Sequence, residues 1–193
     1  RNILDANAIK EYIKENNVKK TAIVGGGLIG LEVAEQLAES NVEVTVYELA
    51  PKILGFLNDD YAKIVKNHIE ENGVKILNNK GVKDIIIENG KIRGLVTTDG
   101  EKVDTELIIF SIGVKPNSRI AEKAGIKIGY KGGIVVDDYL KTSDENIYAV
   151  GDAIEVEDYI NNGKTMIPLA GPANKQGRIV ADNICGANIK YKG

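Results

Sequence analysis

The sequence predicts an α/β protein: a Rossmann-like parallel sheet in which a β-meander replaces one crossover helix. Three observations predict it. The stretch from Lys19 to Glu48, KKTAIVGGGLIGLEVAEQLAESNVEVTVYE, runs strand, glycine turn, helix, strand. Two tight-turn dipeptides, Asn89-Gly90 and Asp99-Gly100, cut a β-rich segment into three short strands. The run from Glu106 to Ser111, ELIIFS, is apolar enough for burial inside a parallel sheet.

In chain order, Asp5 is placed to cap a short packing helix to about Asn16, with Ile9, Tyr12 and Ile13 on one face. Thr21 to Val24 is β-branched and apolar without a charge. Gly25, Gly27 and Gly30 then fall on G-x-G-x-x-G. Gly25 permits the tight turn, Gly27 lets a pyrophosphate approach the backbone, and Gly30 lets the helix lie close to the sheet. Ile29, Val33, Ala34 and Leu37 keep helical spacing, and Val42 to Tyr47 alternates as a strand. Unpaired amides in the helix's first turn, backed by its dipole, suit phosphates. Glu48 lies eighteen residues past Gly30, where a carboxylate accepts hydrogen bonds from a ribose diol. A 2′-phosphate there meets like charge, on the order of 4 kcal/mol per pair at ~4 Å and an effective dielectric of ~20. NAD is therefore favoured over NADP, although Lys52 is close enough in sequence to neutralise part of Glu48. A glycine turn alone is weak evidence; strand, helix and terminal acid together make the dinucleotide context.

The loop LAPKILGFLNDD is broken by Pro51 and Gly55 and flanks the adenine end of such a ligand. Asn58 or Asp59 caps the next helix, to about Asn72, with Tyr61, Ile64, Val65 and Ile69 as its apolar stripe and Gly73 as its stop. Lone His68 has no partner that would make it a metal ligand or base. Strands follow at Val74 to Leu77, Val82 to Glu88, Lys91 to Thr97, Glu101 to Asp104 and Glu106 to Ser111. Residues 1–112 thus read as one compact unit. Beyond it come a short helix at Ile120 to Ala124, strands at Ile134 to Val136 and Asn146 to Val150, and a polar hairpin around Asn161-Asn162-Gly163. A last helix opens near Pro172, where a missing N–H is no loss, and runs to about Cys185. This remainder has a thin core for an independent domain.

The composition is that of an ordinary globular chain: 193 residues, 43% hydrophobic, 27% charged. A net charge of −3 shows no basic excess for nucleic acid, and no apolar run approaches a membrane span. One cysteine excludes an internal disulfide or thiol pair, and the cytoplasm is the expected compartment. The chain opens on Arg1 and its first segment reads as mid-protein sequence, so an excised piece is expected.

Three further motifs follow the dinucleotide unit: G-V-K-P-N at Gly113 to Asn117, T-S-D-E-N-I-Y-A-V-G-D at Thr142 to Asp152, and P-L-A-G-P-A-N-K-Q-G-R at Pro168 to Arg178. In that order the chain resembles the flavin-dependent pyridine nucleotide-disulfide oxidoreductases, most of all the NADH oxidase and coenzyme A-disulfide reductase group. The resemblance covers essentially the whole chain, and the Thr142 to Asp152 block is its most specific part. It implies that residues 1–112 form the NAD domain and 113–193 the C-terminal half of an FAD-binding domain. It implies cofactor contacts at Gly25, Gly26, Gly27, Leu28, Ile29, Gly30, Glu32, Glu48 and Lys52 for NAD. Gly113 would lie near the nicotinamide. Thr142, Gly151 and Asp152 would serve FAD, and the helix starting near Ala170 would point its N-terminus at the flavin. Leu28 stands where many members place an aromatic ring that gates the nicotinamide pocket.

No catalytic or metal residue is assigned in this chain. The family's first FAD half, redox-active cysteine and dimerisation domain are not matched, and Cys185 is expected only to pack. A homodimer is expected of the full-length protein alone. The leading expectation is part of an enzyme passing hydride from NADH to FAD and on to a disulfide or oxygen. The alternatives are an NADH-dependent reductase of a ferredoxin- or rubredoxin-type carrier, and a non-enzymatic NAD-binding module.

Overall fold

Strand β1 (Lys20–Val24) is the axis of the first unit. Four of its five residues are buried, as a charge-free β-branched run requires. In the computed structural model, which describes residues 2–192, β1 pairs in parallel with β2 (Glu43–Tyr47) on one side and β7 (Leu107–Phe110) on the other. β2 pairs with β3 (Val74–Leu77), giving the order β3-β2-β1-β7. The chain steps outward from β1 through β2 to β3, then returns to the opposite side as β7. That reversal opens a crevice at the carboxyl ends of β1 and β7, where α/β sheets seat ligands.

Alternation along the strands decides which face each layer covers. Ile23, Val44, Val46 and Ile76 form one core with Leu31, Ala34 and Leu37 of α2 (Leu28–Glu39), with Val65 and Ile69 of α3 (Asp59–Glu71) packed against it. Ala22 and Tyr47, on the other face, meet Leu95 of the meander β4 (Val82–Glu88), β5 (Lys91–Thr97), β6 (Lys102–Asp104). Asn89 (φ +51°) and Gly90 (φ +73°) both sit in the left-handed region that a two-residue hairpin needs, with Glu88 opposite Lys91. The parallel sheet and the meander match the predicted fold class.

Several element details differ from expectation. The first helix, α1 (Ile3–Glu15), is capped by Asn2; Asp5 instead closes the capping box by accepting from the Asn2 amide. In α3 Tyr61 and Ile64 are 62% and 64% exposed. The buried stripe is Ala62 with half-buried Val65 and Ile69, because the helix rotates its smallest apolar residue onto the sheet.

The chain divides into two compact units, Arg1–Gly113 and Val114–Gly193. The second holds α4 (Arg119–Lys123), 3-10 turns at Tyr130–Gly132 and Gly151–Ala153, the hairpin β8 (Val156–Asp158) and β9 (Gly163–Thr165), and α5 (Ala170–Ile184). Its core joins Ala121, Ile126, Ile134, Leu140, Ile154, Val156 and Tyr191. The strands expected at Ile134 to Val136 and Asn146 to Val150 are only isolated bridges, Ile134 to Ile128 and Ile154, and Tyr148 to Lys141. Ile134 is buried, Val135 and Val136 are half-buried, and Asn146 to Val150 run from exposed to half-buried; single neighbours rather than a ladder pair the backbone.

Candidate functional site

The turn between β1 and α2 is held from several directions. Gly25 takes φ +111°, and its amide donates to Tyr47 O at 2.8 Å. Gly26 N donates to Glu48 Oε2 at 2.6 Å, while Gly26 O accepts from Leu54 N at 2.9 Å. The Ser111 hydroxyl, just past β7, reaches Gly25 O at 3.0 Å and Val24 O at 3.1 Å. A Cβ on Gly30 would overlap Gly25 O and stand 2.5 Å from Ser111 Oγ, so helix and strand approach only because that side chain is missing. A Cβ on Gly27 meets nothing within 4 Å among the described residues. Gly27 is the N-cap of α2, and no side chain caps the helix. The first-turn amides, with the positive end of the dipole behind them, have the geometry that suits an anion. Leu28 and Ile29 are 48% and 58% exposed there, and Glu32 is exposed one turn on.

Glu48 turns toward this crevice. Its second carboxylate oxygen, Oε1, accepts from Ala50 N at 2.7 Å. Each oxygen keeps a further lone pair for a hydroxyl donor. Lys52 does not neutralise Glu48. Its Nζ donates to Leu57 O at 2.6 Å and to Asp59 Oδ1 at 2.7 Å. The hydrogen bond from Lys52, then its charge, holds the Asp59 carboxyl below its usual range. The loop reverses at Leu54 (φ +47°), which brings the start of α3 to Lys52. Gly113 (φ +106°) leaves the same end of the sheet as Gly25, since Val24 and Phe110 are register partners.

In the second unit, Gly151 (φ +77°) donates its amide to Gln176 Oε1 at 2.7 Å, and a Cβ there would lie 3.9 Å from Ala173. The Gly151 turn therefore rests on the first turns of α5. Asp152 follows it and is exposed; Ala170 opens α5, exposed and without a side-chain cap. Thr142 is occupied locally. Its Oγ1 accepts from Asp144 N at 3.1 Å and its amide donates to Ile147 O at 2.9 Å.

Three contributors escaped the sequence reading. Ser111 is one; its only signal was a small hydroxyl at the end of an apolar strand. Ile53 and Leu54, both buried, are the second; apolar residues crowded into the loop after Glu48 hinted that it folds inward. Gln176, 2% exposed, is the third, and its signal was a polar residue on the α5 stripe of Ala173 and Val180. Cys185 is exposed at the C-cap of α5, so it does not serve packing as expected. Among the described residues no cluster of His, Cys, Asp or Glu could hold a metal, and no helix is long and apolar enough to cross a membrane.

A family model described as pyridine nucleotide-disulphide oxidoreductase matches residues 1–177. An NADH oxidase of Methanocaldococcus jannaschii is 42% identical over 192 residues, 99% of this chain and 42% of that protein. A CoA-dependent NAD(P)H sulfur oxidoreductase of Pyrococcus abyssi is 36% identical over 98% of this chain and 42% of its own length. Among solved structures, reduced CoADR-RHD of Bacillus anthracis superposes with a TM-score of 0.94 at 40% identity, covering 100% of this chain and 34% of that one. The chain thus spans less than half the length of these relatives.

Proposed function

The chain belongs to the pyridine nucleotide-disulphide oxidoreductase family, and from that premise we propose that it carries the NADH site and part of the FAD site of an FAD-dependent oxidoreductase. In the intact protein NADH and FAD supply the hydride-transfer chemistry, and a disulfide such as coenzyme A disulfide, or oxygen, is the final acceptor. Residues 1–112 are then the NAD domain and 113–193 the second half of the FAD domain.

One observation carries the reading. The glycine turn and Glu48 are locked together through the Gly26 amide, 2.6 Å from Oε2, before any ligand enters. Such preorganisation lowers the ordering cost of binding. The amides at the start of α2 are suited to hold a pyrophosphate, with Gly27 admitting it. Glu48 is suited to take the adenosine ribose hydroxyls on its remaining lone pairs. The same carboxylate disfavours a 2′-phosphate, so NADH is preferred over NADPH; Lys52, bound to Asp59, does not offset it. Gly113 serves the nicotinamide end. In the second unit, exposed Asp152 offers a carboxylate to FAD hydroxyls, the Gly151 backbone approaches closely, and the uncapped start of α5 at Ala170 places a positive dipole end toward an anionic ring.

Calorimetry tests this directly. The chain is expected to bind NADH with at least about tenfold preference over NADPH. Glu48→Ala is expected to weaken NADH by about tenfold and narrow that preference. No heat with NADH up to millimolar concentration, or an unchanged preference in Glu48→Ala, overturns the assignment.

A further inference from the structure

Among the described residues of helix α5, only Gln176 and Asn183 are buried, and both are polar. Apolar packing is non-directional and lets a helix slide, whereas a hydrogen bond fixes a distance and an angle. Asn183 holds the C-terminal half of the helix. Its Nδ2 donates to Ile189 O at 2.9 Å and to Tyr139 O at 3.2 Å, and its Oδ1 accepts from Ile189 N at 2.8 Å. Gln176 holds the N-terminal half through Oε1, which accepts from Gly151 N at 2.7 Å.

Gly151 opens the 3-10 turn that carries Asp152. Within and beside that turn, Ile154 N donates to Gly151 O at 3.3 Å and Ile134 N to Ala153 O at 2.8 Å, and neither bond reaches α5. Among the described residues, the bond from Gly151 to Gln176 is therefore the one hydrogen bond that ties the turn to the helix. Ala170 lies six residues before Gln176, about 9 Å along the axis. An apolar side chain in place of Gln176 would leave the Gly151 amide facing it without an acceptor.

We propose that Gln176 is a positioning residue for FAD: through Gly151 it sets the spacing between the Asp152 carboxylate and the first turn of α5. The proposal rests on the reading of Asp152 and Ala170 as FAD contacts. A cofactor held by its hydroxyls at one element and by its ring at another engages both only at one spacing, and a side chain locked by burial keeps that spacing before the cofactor arrives. The dipole of α5 acts within its first turn and favours the reduced, anionic ring. Loss of the spacing therefore weakens the hold on FAD and weakens it more for the reduced form.

The test follows the hydrogen bond in the 193-residue chain and the cofactor in the intact flavoprotein. Gln176→Leu removes the acceptor. In the chain it is expected to speed hydrogen exchange at the Gly151 amide by at least about tenfold. In the intact protein it is expected to weaken FAD about tenfold, read by flavin fluorescence. The two-electron midpoint potential of the flavin is expected to fall by about 30 mV, the equivalent of a further tenfold loss for the reduced form. Gln176→Glu keeps an oxygen that accepts from the amide in either protonation state, and is expected to hold FAD within about threefold of the parent. Asn183 still anchors α5, so circular dichroism is expected to show folded variants; if Gln176→Leu is unfolded, Gln176→Asn, one methylene short of the amide, carries the same expectations. Unchanged amide exchange, or unchanged FAD affinity, in a folded variant without the acceptor overturns the proposal. So does weakened affinity with an unmoved potential, or a Gln176→Glu protein as weak as Gln176→Leu, since either leaves the residue a merely structural part. A parent protein that holds no FAD overturns the reading of Asp152 and Ala170 and the proposal with it, and that failure is told apart because flavin is missing before any substitution.

Discussion

Gly27 and Gly30 share one motif and answer to different constraints. At Gly30 the protein itself forbids a side chain: a methyl would overlap Gly25 O and press on Ser111 Oγ. Gly30→Ala is expected to cost about 1–3 kcal/mol of stability, read as a lowered melting temperature. Gly27 has φ −83°, which any residue adopts, and no protein atom crowds its Cβ position. Gly27→Ala is expected to change stability by no more than about 1 kcal/mol yet weaken NADH at least about tenfold. A Gly27→Ala chain that binds NADH like the parent would show that nothing passes close to that backbone. The glycine spacing and Glu48 were legible because each residue type has one backbone or chemical purpose there. The direction of Lys52 was not, since a flexible cation takes whichever carboxylate the loop brings near, and the loop brings Asp59.

At the scale of elements, the strands of the first unit were readable nearly to the residue. Their apolar alternation coincides with two buried faces, and their ends coincide with turn residues. Packing decided the side of α3 that is buried, and Tyr61 with Ile64 lost to Ala62. One element junction has a pH signature. Glu106, ahead of β7, accepts from Lys19 N at 2.6 Å and Lys20 N at 3.0 Å at the start of β1. These two amides hold its carboxyl below the ordinary glutamate value of 4.5. A lowered folded value means the unfolded chain takes up the proton first. The stabilisation is therefore fully present above that ordinary value and is lost as pH falls through the folded one. Urea titrations at stepped pH are expected to show stability declining in that acid window. Glu106→Gln is expected to flatten the decline, and a slope unchanged in the variant would remove Glu106 from the account.

Across the whole molecule, each unit has its own core. Ile23, Val44, Val46 and Ile76 with α2 serve the first; Ile134, Leu140, Ile154 and Tyr191 serve the second. Residues 1–113 expressed alone are therefore expected to fold cooperatively and bind NADH within about threefold of the whole chain. A fragment that is unfolded by circular dichroism, or folded but unable to bind, would show that the seat depends on the second unit. The first unit was legible as a unit because its pattern of strand, helix and meander repeats regular periods. The second was read chiefly by resemblance. Its segments at Ile134 and Tyr148 make single bridges, so periodicity overstated them.

By itself the sequence determined the parallel sheet, the meander, the glycine turn and the acid one strand away. Those features depend on local periodicity and on what a missing Cβ allows. Only the tertiary structure decided that Ser111, Leu54 and Gln176 hold the turns in place, and that Glu48 is anchored to Gly26. Hydrogen bonds between residues 22 to 86 positions apart depend on how the chain returns on itself, and local spacing carries no record of that return.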